Sequence, residues 1–364
     1  MPRILYIVPH RINRSPGQRF RCEQYLTALQ DRGFEITYSN IISEKDDTVF
    51  YSKGNYHFKA WILVKSFIKR LKDIRKAKKF DVVFIYREAF MLGITLFEKL
   101  LRSKKALIIF DFDDAIWLND TSEGNANLDW LKKPSKTASI IKIADLVLAG
   151  NTYLANYAKL FNPRIEIMPT TIDTNYHKKL IKTQDTSSIC IGWTGTSTTL
   201  KHFETIIPVL KKIKEKFQDK IYFKVIVNFL YSFPELNIEA TQWSSEKEIE
   251  DLSEINIGIM PLPDDEWSKG KCGFKGLQYM ALEIPTIMSP VGVNSEIIND
   301  GENGFLASTE EDWVNKLSLL IENEDIRIKL GQAGRKTVEE KYSVNALKEQ
   351  YIQYFLNLIE MKKA

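Results

Sequence analysis

Short, nearly continuous apolar runs recur along this chain, each followed by a stretch with helical spacing. In the first half they fall at 4–8, 34–38, 82–86, 107–110 and 146–149, and the stretch 18–30 places Cys22, Tyr25, Leu26 and Leu29 at helical intervals. A strand that is apolar at every position, not only at alternate ones, is buried on both faces. That is the situation of a parallel sheet covered by helices on its two sides. After a polar junction at 162–188 that holds Pro163 and Pro169, the alternation starts again. Strands are expected from 189, at 221–227, near 237–240, at 256–260 and at 286–288, with helices at 199–217 and 274–283 and a helical tail ending at 343–363. At 364 residues the chain is too long for one ordinary α/β domain and comfortable for two. The expected class is α/β, with two doubly wound Rossmann-like domains whose strand C-termini face one another across a cleft.

Composition removes several other classes. Apolar residues make up 44% and charged residues 27%, enough for a core in each half, and the net charge of +4 gives no reason to expect a nucleic-acid partner. Cys22, Cys190 and Cys272 are odd in number and widely separated, which fits a reducing compartment and neither a disulfide framework nor a CxxC metal site. The opening MPRILYIVPH reads as a buried strand without the basic leader of a signal peptide. No window approaches the ~18 apolar residues of a membrane span. The expectation is a cytoplasmic chain that does not cross a membrane.

The second half carries a phosphate-binding pattern. Ile191 closes a strand, and Gly192, Gly195, Thr196, Ser197 and Thr198 form the turn that follows. Small residues let backbone N–H groups approach an anion, and a helix from Thr199 adds its positive end; an ordinary Ser/Thr-capped connection is the alternative. Further on, KGKCGFKG at 269–276 sets Lys269, Lys271 and Lys275 among three glycines, between the apolar runs IGIMPLP and LQYMAL. Charge enclosed by apolar runs points to a pocket rim. Glu296, after the strand IPTIMS and the turn PVGVN, is placed either to accept sugar or ribose hydroxyls or to cap a helix at 296–299.

These residues carry a resemblance. The segment IGIMPLPDDEWSKGKCGFKGLQYMALEIPTIMSPVGVNSEIINDGENGFL resembles the donor-binding region of family 4 glycosyltransferases, with support from SPGQRFR at 15–21, IGWTGTSTTL at 191–200 and RIKLGQAGRKTVEEKYS at 327–343. The resemblance implies the GT-B fold and transfer of a sugar, with retention of configuration, from a nucleoside-diphosphate sugar whose base and sugar are left open. It implies no cofactor and no metal. It also implies an acceptor-side domain at 1–170, a donor domain at 171–342, and a helix at 343–364 that crosses back to the first domain. One departure is plain. Aligning the shared Met-Ala places Gly270 and Gln278 where the family has two glutamates; Gln278 can still hydrogen-bond a ribose, but neither residue supplies a carboxylate. Lys271 and Lys275 are therefore the expected diphosphate contacts.

On the first domain, SPGQRFR would bring Gly17 near the donor phosphates and Arg19 to anionic ligand groups, with Arg21 on the acceptor side. Arg87 and Glu88 follow the strand VVFIY and should reach the same crevice, binding phosphate and acceptor or pairing with each other. The segment IIFDFDDAIW at 108–117 opens a strand onto Asp111, Asp113 and Asp114. It resembles the first motif of haloacid-dehalogenase-type phosphatases and holds the Asp-x-Asp spacing of metal-dependent GT-A enzymes. In the GT-B reading, Asp113 or Asp114 orients the acceptor hydroxyl or touches the donor sugar. A magnesium-dependent phosphohydrolase using Asp111 and Asp113, or a nonenzymatic carbohydrate- or lipid-binding module, are the competing readings. The histidines at 57, 177 and 202 read as peripheral.

Finally, KAWILVKSFIKRLKDIRKAKK at 59–79 holds nine Lys/Arg and one Asp, with Trp61, Val64, Phe67, Ile68, Leu71 and Ile74 on one helical side. It suits either the surface of an anionic membrane or packing on the first sheet with its lysines in water. The partners expected are thus a nucleotide sugar, a glycan or lipid-linked acceptor, and an anionic membrane surface through 59–79. The location would be cytoplasmic, at the inner face of the membrane.

Overall fold

The computed structural model describes residues 1–104, 106–118, 133, 135–180 and 188–363. It divides into two compact units, Met1–Thr170 with Leu347–Ala364, and Thr171–Ala346.

The first unit is built on the strands β1 (Arg3–Val8), β2 (Glu35–Asn40), β3 (Val82–Tyr86), β4 (Leu107–Phe112), β5 (Leu146–Ala149) and β6 (Ile165–Ile167). They pair in the order β2-β1-β3-β4-β5-β6, every pair parallel. β3 and β5 are buried at every position, which is why their sequences show no polar alternation. The helices are α1 (Pro16–Arg21), α2 (Leu26–Asp31), α3 (Glu44–Tyr51), α4 (Tyr56–Lys76), α5 (Leu96–Ser103), α6 (Ser135–Ile143) and α7 (Thr152–Lys159). The stretch 18–30 is helical in two pieces, because Cys22 leaves the helical region (φ −135°, ψ −37°) and a 3-10 turn follows it. In α4 the apolar side expected from the sequence is divided. Ile74 is buried and Phe67 packs on Phe90 and Phe97, whereas Trp61, Val64 and Ile68 face outward, and Ile62, outside the expected side, is buried as well.

The second unit holds β7 (Ile189–Thr194), β8 (Ile221–Val227), β9 (Ser232–Phe233), β10 (Ile238–Glu239), β11 (Thr241–Gln242), β12 (Ile257–Met260), β13 (Thr286–Met288) and β14 (Phe305–Leu306). Its main sheet runs β11-β8-β7-β12-β13-β14, again all parallel, and β9 and β10 form a small antiparallel pair. The strand expected near 237–240 is thus split between two sheets. Side chains of β7 alternate between two apolar clusters, with Ile191 and Trp193 in one and Cys190 in the other, so both faces are covered. The helices are α8 (Leu200–Glu204), α9 (Ile207–Phe217), α10 (Glu248–Leu252), α11 (Glu266–Lys269), α12 (Phe274–Ala281), α13 (Asn294–Ile297), α14 (Glu310–Glu322), α15 (Glu324–Lys341) and α16 (Val344–Lys363). From Leu347 onward α16 belongs to the first unit. There Tyr351 stacks on Tyr25 at 4.2 Å, its hydroxyl lies 3.2 Å from that of Tyr6, and Phe355 stacks on Phe84.

In each sheet one strand connection reverses direction. The chain goes from β1 out to β2 and then back across to β3, and from β7 out to β8 and back to β12. Loops leaving β1 and β3, or β7 and β12, therefore diverge to opposite faces and open a crevice at the C-terminal edge, where ligands of open parallel sheets bind.

Close helix packing stiffens the floor of the second unit. α12 ends on Glu283 in the left-handed region (φ 57°), with Ile284 N donating to Tyr279 O and Glu283 N to Met280 O, and this turn presents the Glu283 carbonyl to Gly331 of α15. A Cβ at Gly331 would lie 2.2 Å from that carbonyl oxygen. Backbone on both sides leaves little room to relax. Gly331→Ala should therefore lower the unfolding free energy by about 1–3 kcal/mol, read as an earlier urea midpoint at unchanged slope.

Candidate active site

In the first unit the residues at the reversal point form one charged cluster. Arg87, the first residue past β3, sits in the left-handed region (φ 61°), a conformation that costs a non-glycine residue about 1–2 kcal/mol. It is held there because its N–H donates to Asp111 O at 2.8 Å and its guanidinium is drawn to the end of β4. Arg87 Nε donates to Asp113 Oδ1 at 2.8 Å, and Nη2 reaches both Asp113 and Asp114. Tyr86 donates its hydroxyl to the same Asp113 Oδ1 at 2.9 Å, and burial pushes that phenol up, so it stays protonated. Gly17 closes against this group from α1. A Cβ there would stand 2.5 Å from the Tyr86 hydroxyl and 3.0 Å from Asp113 Oδ2, so no larger residue fits. Gly17, Arg87, Asp113 and Asp114 are thus one constellation.

Five neighbours stand elsewhere. Arg21 is turned into the core, where its side chain is 0% exposed and grips Asp111 through Nη2 at 2.6 Å and Nε at 3.1 Å, and its Nη1 donates to Met168 O. It is not available to an acceptor. The same pairing places Asp111 beneath the surface; burial pushes its carboxyl up, to about 6, against the pull of Arg21. Glu88 does not pair with Arg87; it takes Lys136 Nζ at 2.9 Å. Arg19 is half-buried, with its guanidinium 4.9 Å from the centre of the Phe20 ring. His10, on the loop after β1, has Nε2 3.3 Å from the Tyr51 hydroxyl, and burial followed by the charge of Arg14 holds its imidazole near pKa 4.

The second unit gathers its residues around Trp193, the buried indole near the end of β7. Gly195 lies directly over it, since a Cβ there would fall 2.1 Å from Trp193 Cη2. Lys275, in the first turn of α12, lies 5.2 Å from the centre of the same ring, and Lys271 lies 4.7 Å from that of Trp267. One indole therefore brings the glycine turn after β7 and the lysine of α12 to one place. The turn itself is braced by a capping box in which Thr196 N donates to Thr199 Oγ1 at 2.9 Å, and by Thr194 N donating to the Tyr279 hydroxyl of α12 at 2.9 Å. Thr196 and Ser197 are exposed at its rim. α12 starts at Gly273 (φ 68°) without a side-chain cap. Glu296 is exposed on α13. Gln278 is 2% exposed, within 3.3 Å of His177 and 3.4 Å of Glu248, an interior polar group and not a rim residue. His177, read from the sequence as peripheral, is buried there with it.

Sequence reasoning also missed His202. It is 1% exposed on α8 and neither ring nitrogen has a hydrogen-bond partner among the described residues. Burial, then the charges of Lys275 and Lys271, lower its pKa to about 4, so it is a neutral neighbour of the lysine pair. Ser268 Oγ and Asn294 Oδ1, flanking the 269–276 segment, are likewise buried without a partner. Buried polar atoms rarely stay unpaired. No pattern in the sequence distinguishes these residues from ordinary loop positions. Among the described residues, no group of three or more His, Cys, Asp or Glu is disposed to hold a metal ion.

Residues 184–337, less than half of the chain, match the family model described as "Glycosyl transferases group 1". The chain is similar in structure to sucrose-phosphate synthase from Thermosynechococcus elongatus, at 13% identity and a TM-score of 0.69, covering 99% of this chain and 100% of that one. It is similar to Anabaena HepE in complex with UDP and glucose, at 10% identity and a TM-score of 0.66, covering 98% and 100%. This chain has the GT-B fold. It is also similar to TarM of S. aureus, at 15% identity and a TM-score of 0.61, covering 82% of this chain and 58% of that one, so it spans little more than half of TarM's length. No curated protein matches the sequence significantly.

The Arg21–Asp111 pair sets a test. Arg21→Met would leave a buried carboxyl unpaired, at a cost of about 3–5 kcal/mol. A carboxyl whose folded pKa exceeds its unfolded value contributes stability at low pH and loses it as pH rises through the folded value. Removing Arg21 raises the folded pKa further, so the deficit of the variant should be larger at pH 8 than at pH 5 in urea titrations. Adding Asp111→Asn should recover part of it. An equal deficit at both pH values would count against the pairing.

Proposed function

We propose that the chain is a retaining glycosyltransferase that moves a sugar from a nucleoside-diphosphate sugar to a glycan or lipid-linked glycan acceptor. The observation that carries this reading is the grouping of Gly195, Lys271 and Lys275 at the reversal point between β7 and β12, with Trp193 under Gly195 and Lys275. Two ammonium groups beside a small-residue turn and an uncapped helix start suit a diphosphate, whose negative charge grows as it leaves. Support for the chemistry comes from the family match over 184–337. HepE was solved with UDP and glucose, and UDP-sugars are accordingly the first donors to try.

In this reading the acceptor oxygen forms its bond to the anomeric carbon on the face from which the diphosphate departs, and the hydroxyl proton passes to the leaving phosphate. Configuration is retained, and no side-chain nucleophile is invoked. Lys271 and Lys275 stabilise the leaving group, and the small residues Gly195, Thr196 and Ser197 let it approach the turn, the N–H groups of Gly195 and Thr196 being donated to Ile226 O and Thr199 Oγ1. Asp113 or Asp114 orients the acceptor hydroxyl or touches the donor sugar, and Arg87 fixes their positions. Gly17 and Arg19 serve anionic parts of the ligands, and Glu296 the sugar or ribose hydroxyls. No metal takes part, and the enzyme works on the cytoplasmic side, at the inner face of the membrane.

The phosphohydrolase reading needs Asp111 as a nucleophile. That carboxylate is fully buried and held by Arg21, so the reading has no reactive group.

A panel of nucleoside-diphosphate sugars, followed by mass spectrometry with and without EDTA, tests the proposal. Sugar transfer should persist in EDTA. Lys271→Ala and Lys275→Ala should each lower turnover about 10²-fold, the scale for loss of one charge-stabilising donor, with an unchanged circular dichroism spectrum. Magnesium-dependent phosphate release without transfer would overturn it.

A further inference from the structure

Helix α4 carries apolar side chains on both its inner and its outer face. Its inward face is mixed, with Ile62 and Ile74 buried beside three polar residues. Arg70 is 1% exposed and donates to the carbonyls of Val8, Ser39 and Ala89 while pairing with Asp73 at 2.8 Å, so it clamps the ends of β1 and β2. Lys59 and Ser66 are also buried, with Lys59 donating to Ser52 O at 2.5 Å and Ser66 to Ile62 O at 2.8 Å. Its outward face is apolar in the first half. Trp61 is 59% exposed, Phe58 55%, and Val64 and Ile68 46% each. At 100° per residue these four lie within one stripe, which continues into Lys72, Arg75 and Lys76, all exposed. The helix's one carboxylate, Asp73, is turned inward to Arg70 and Ser39. Lys65, within the stripe, pairs with Asp46 of α3.

A roll of the helix does not hide the stripe, because it would pull the Arg70 guanidinium away from three backbone carbonyls and leave a buried charge short of partners. The exposed face is therefore fixed by the fold. Contiguous exposed apolar side chains of this kind mark an interaction surface.

We propose that the outer face of α4 docks on an anionic lipid bilayer, with Trp61, Phe58, Val64 and Ile68 entering the interface and Lys72, Arg75 and Lys76 lying among the headgroups. The assignment rests on charge: a face with an aromatic and aliphatic end, a cationic end and no outward carboxylate of its own complements a negatively charged surface with an apolar interior. It would bring a lipid-linked acceptor within reach, but it holds whatever the donor chemistry is, since binding to vesicles requires no transfer.

The test is flotation of the full chain with phosphatidylcholine vesicles, with and without phosphatidylglycerol. Wild-type protein should float only with the anionic vesicles, and less as salt is raised. Trp61→Ser/Ile68→Ser should weaken partitioning about tenfold or more, and Lys72→Glu/Arg75→Glu should abolish the preference for phosphatidylglycerol. Melting curves of both variants should stay near wild type, because neither pair touches the Arg70 clamp. Failure of the wild type to float, or variants that float equally well, would overturn the proposal. So would light scattering that shows a wild-type dimer converted to monomer by Trp61→Ser/Ile68→Ser, which would make the face a contact between copies.

Discussion

Parallel strand pairing is the constraint on which everything else in this protein rests. Because every strand of both main sheets runs the same way, each strand delivers its following loop to the same edge. The reversals between β1 and β3 and between β7 and β12 then decide which of those loops stand apart. Gly17, Arg87, Asp113 and Asp114 stand at one reversal or on the strand next to it, and Gly195, Lys271 and Lys275 at the other. Residues more than seventy positions apart become neighbours for a topological reason, before any side-chain preference acts.

Each cluster is then held by a local device. In the first unit an arginine in a left-handed conformation is kept there by one backbone hydrogen bond and by two carboxylates, and Gly17 leaves the space they occupy. In the second unit a buried tryptophan gives Gly195 and Lys275 a common seat. Below the first cluster, Arg21 and Asp111 form a buried ion pair that takes both residues out of chemistry. The segment Asp111–Asp114 thus serves two purposes, one carboxylate anchoring the core and two facing the cluster. Alternation alone would set Asp111 and Asp113 on one side, so the division comes from β4 ending at Phe112, between them.

Much of this was legible in the residue pattern. The runs at 82–86, 146–149, 221–227 and 286–288 stand as strands with those limits, and β3 and β5, buried at every position, have no polar position to blur their ends. The helix at 199–217 was harder: the chain breaks at Thr205–Ile206 and restarts with Pro208 in the first turn, while the apolar spacing continues through both pieces. Glu88 and Arg87, adjacent in sequence, go to different partners, a matter decided by the backbone turning at Arg87. His202 had no signal at all, since a single histidine on an amphipathic stretch looks the same whether its neighbours are water or two lysines.

The sequence by itself determined the class: period and apolar continuity specify two parallel sheets, and small or charged residues follow particular strands at one edge of each. These are local properties, readable one window at a time. Only the tertiary structure decided which charges are free to work. Whether Arg21 meets ligand or Asp111, whether Gln278 lines a rim or an interior, and whether Trp61 of α4 points to the core or to the outside depend on long-range packing. Burial makes each of these a choice between pairing and unfavourable isolation, and the partner that settles it lies elsewhere in the chain.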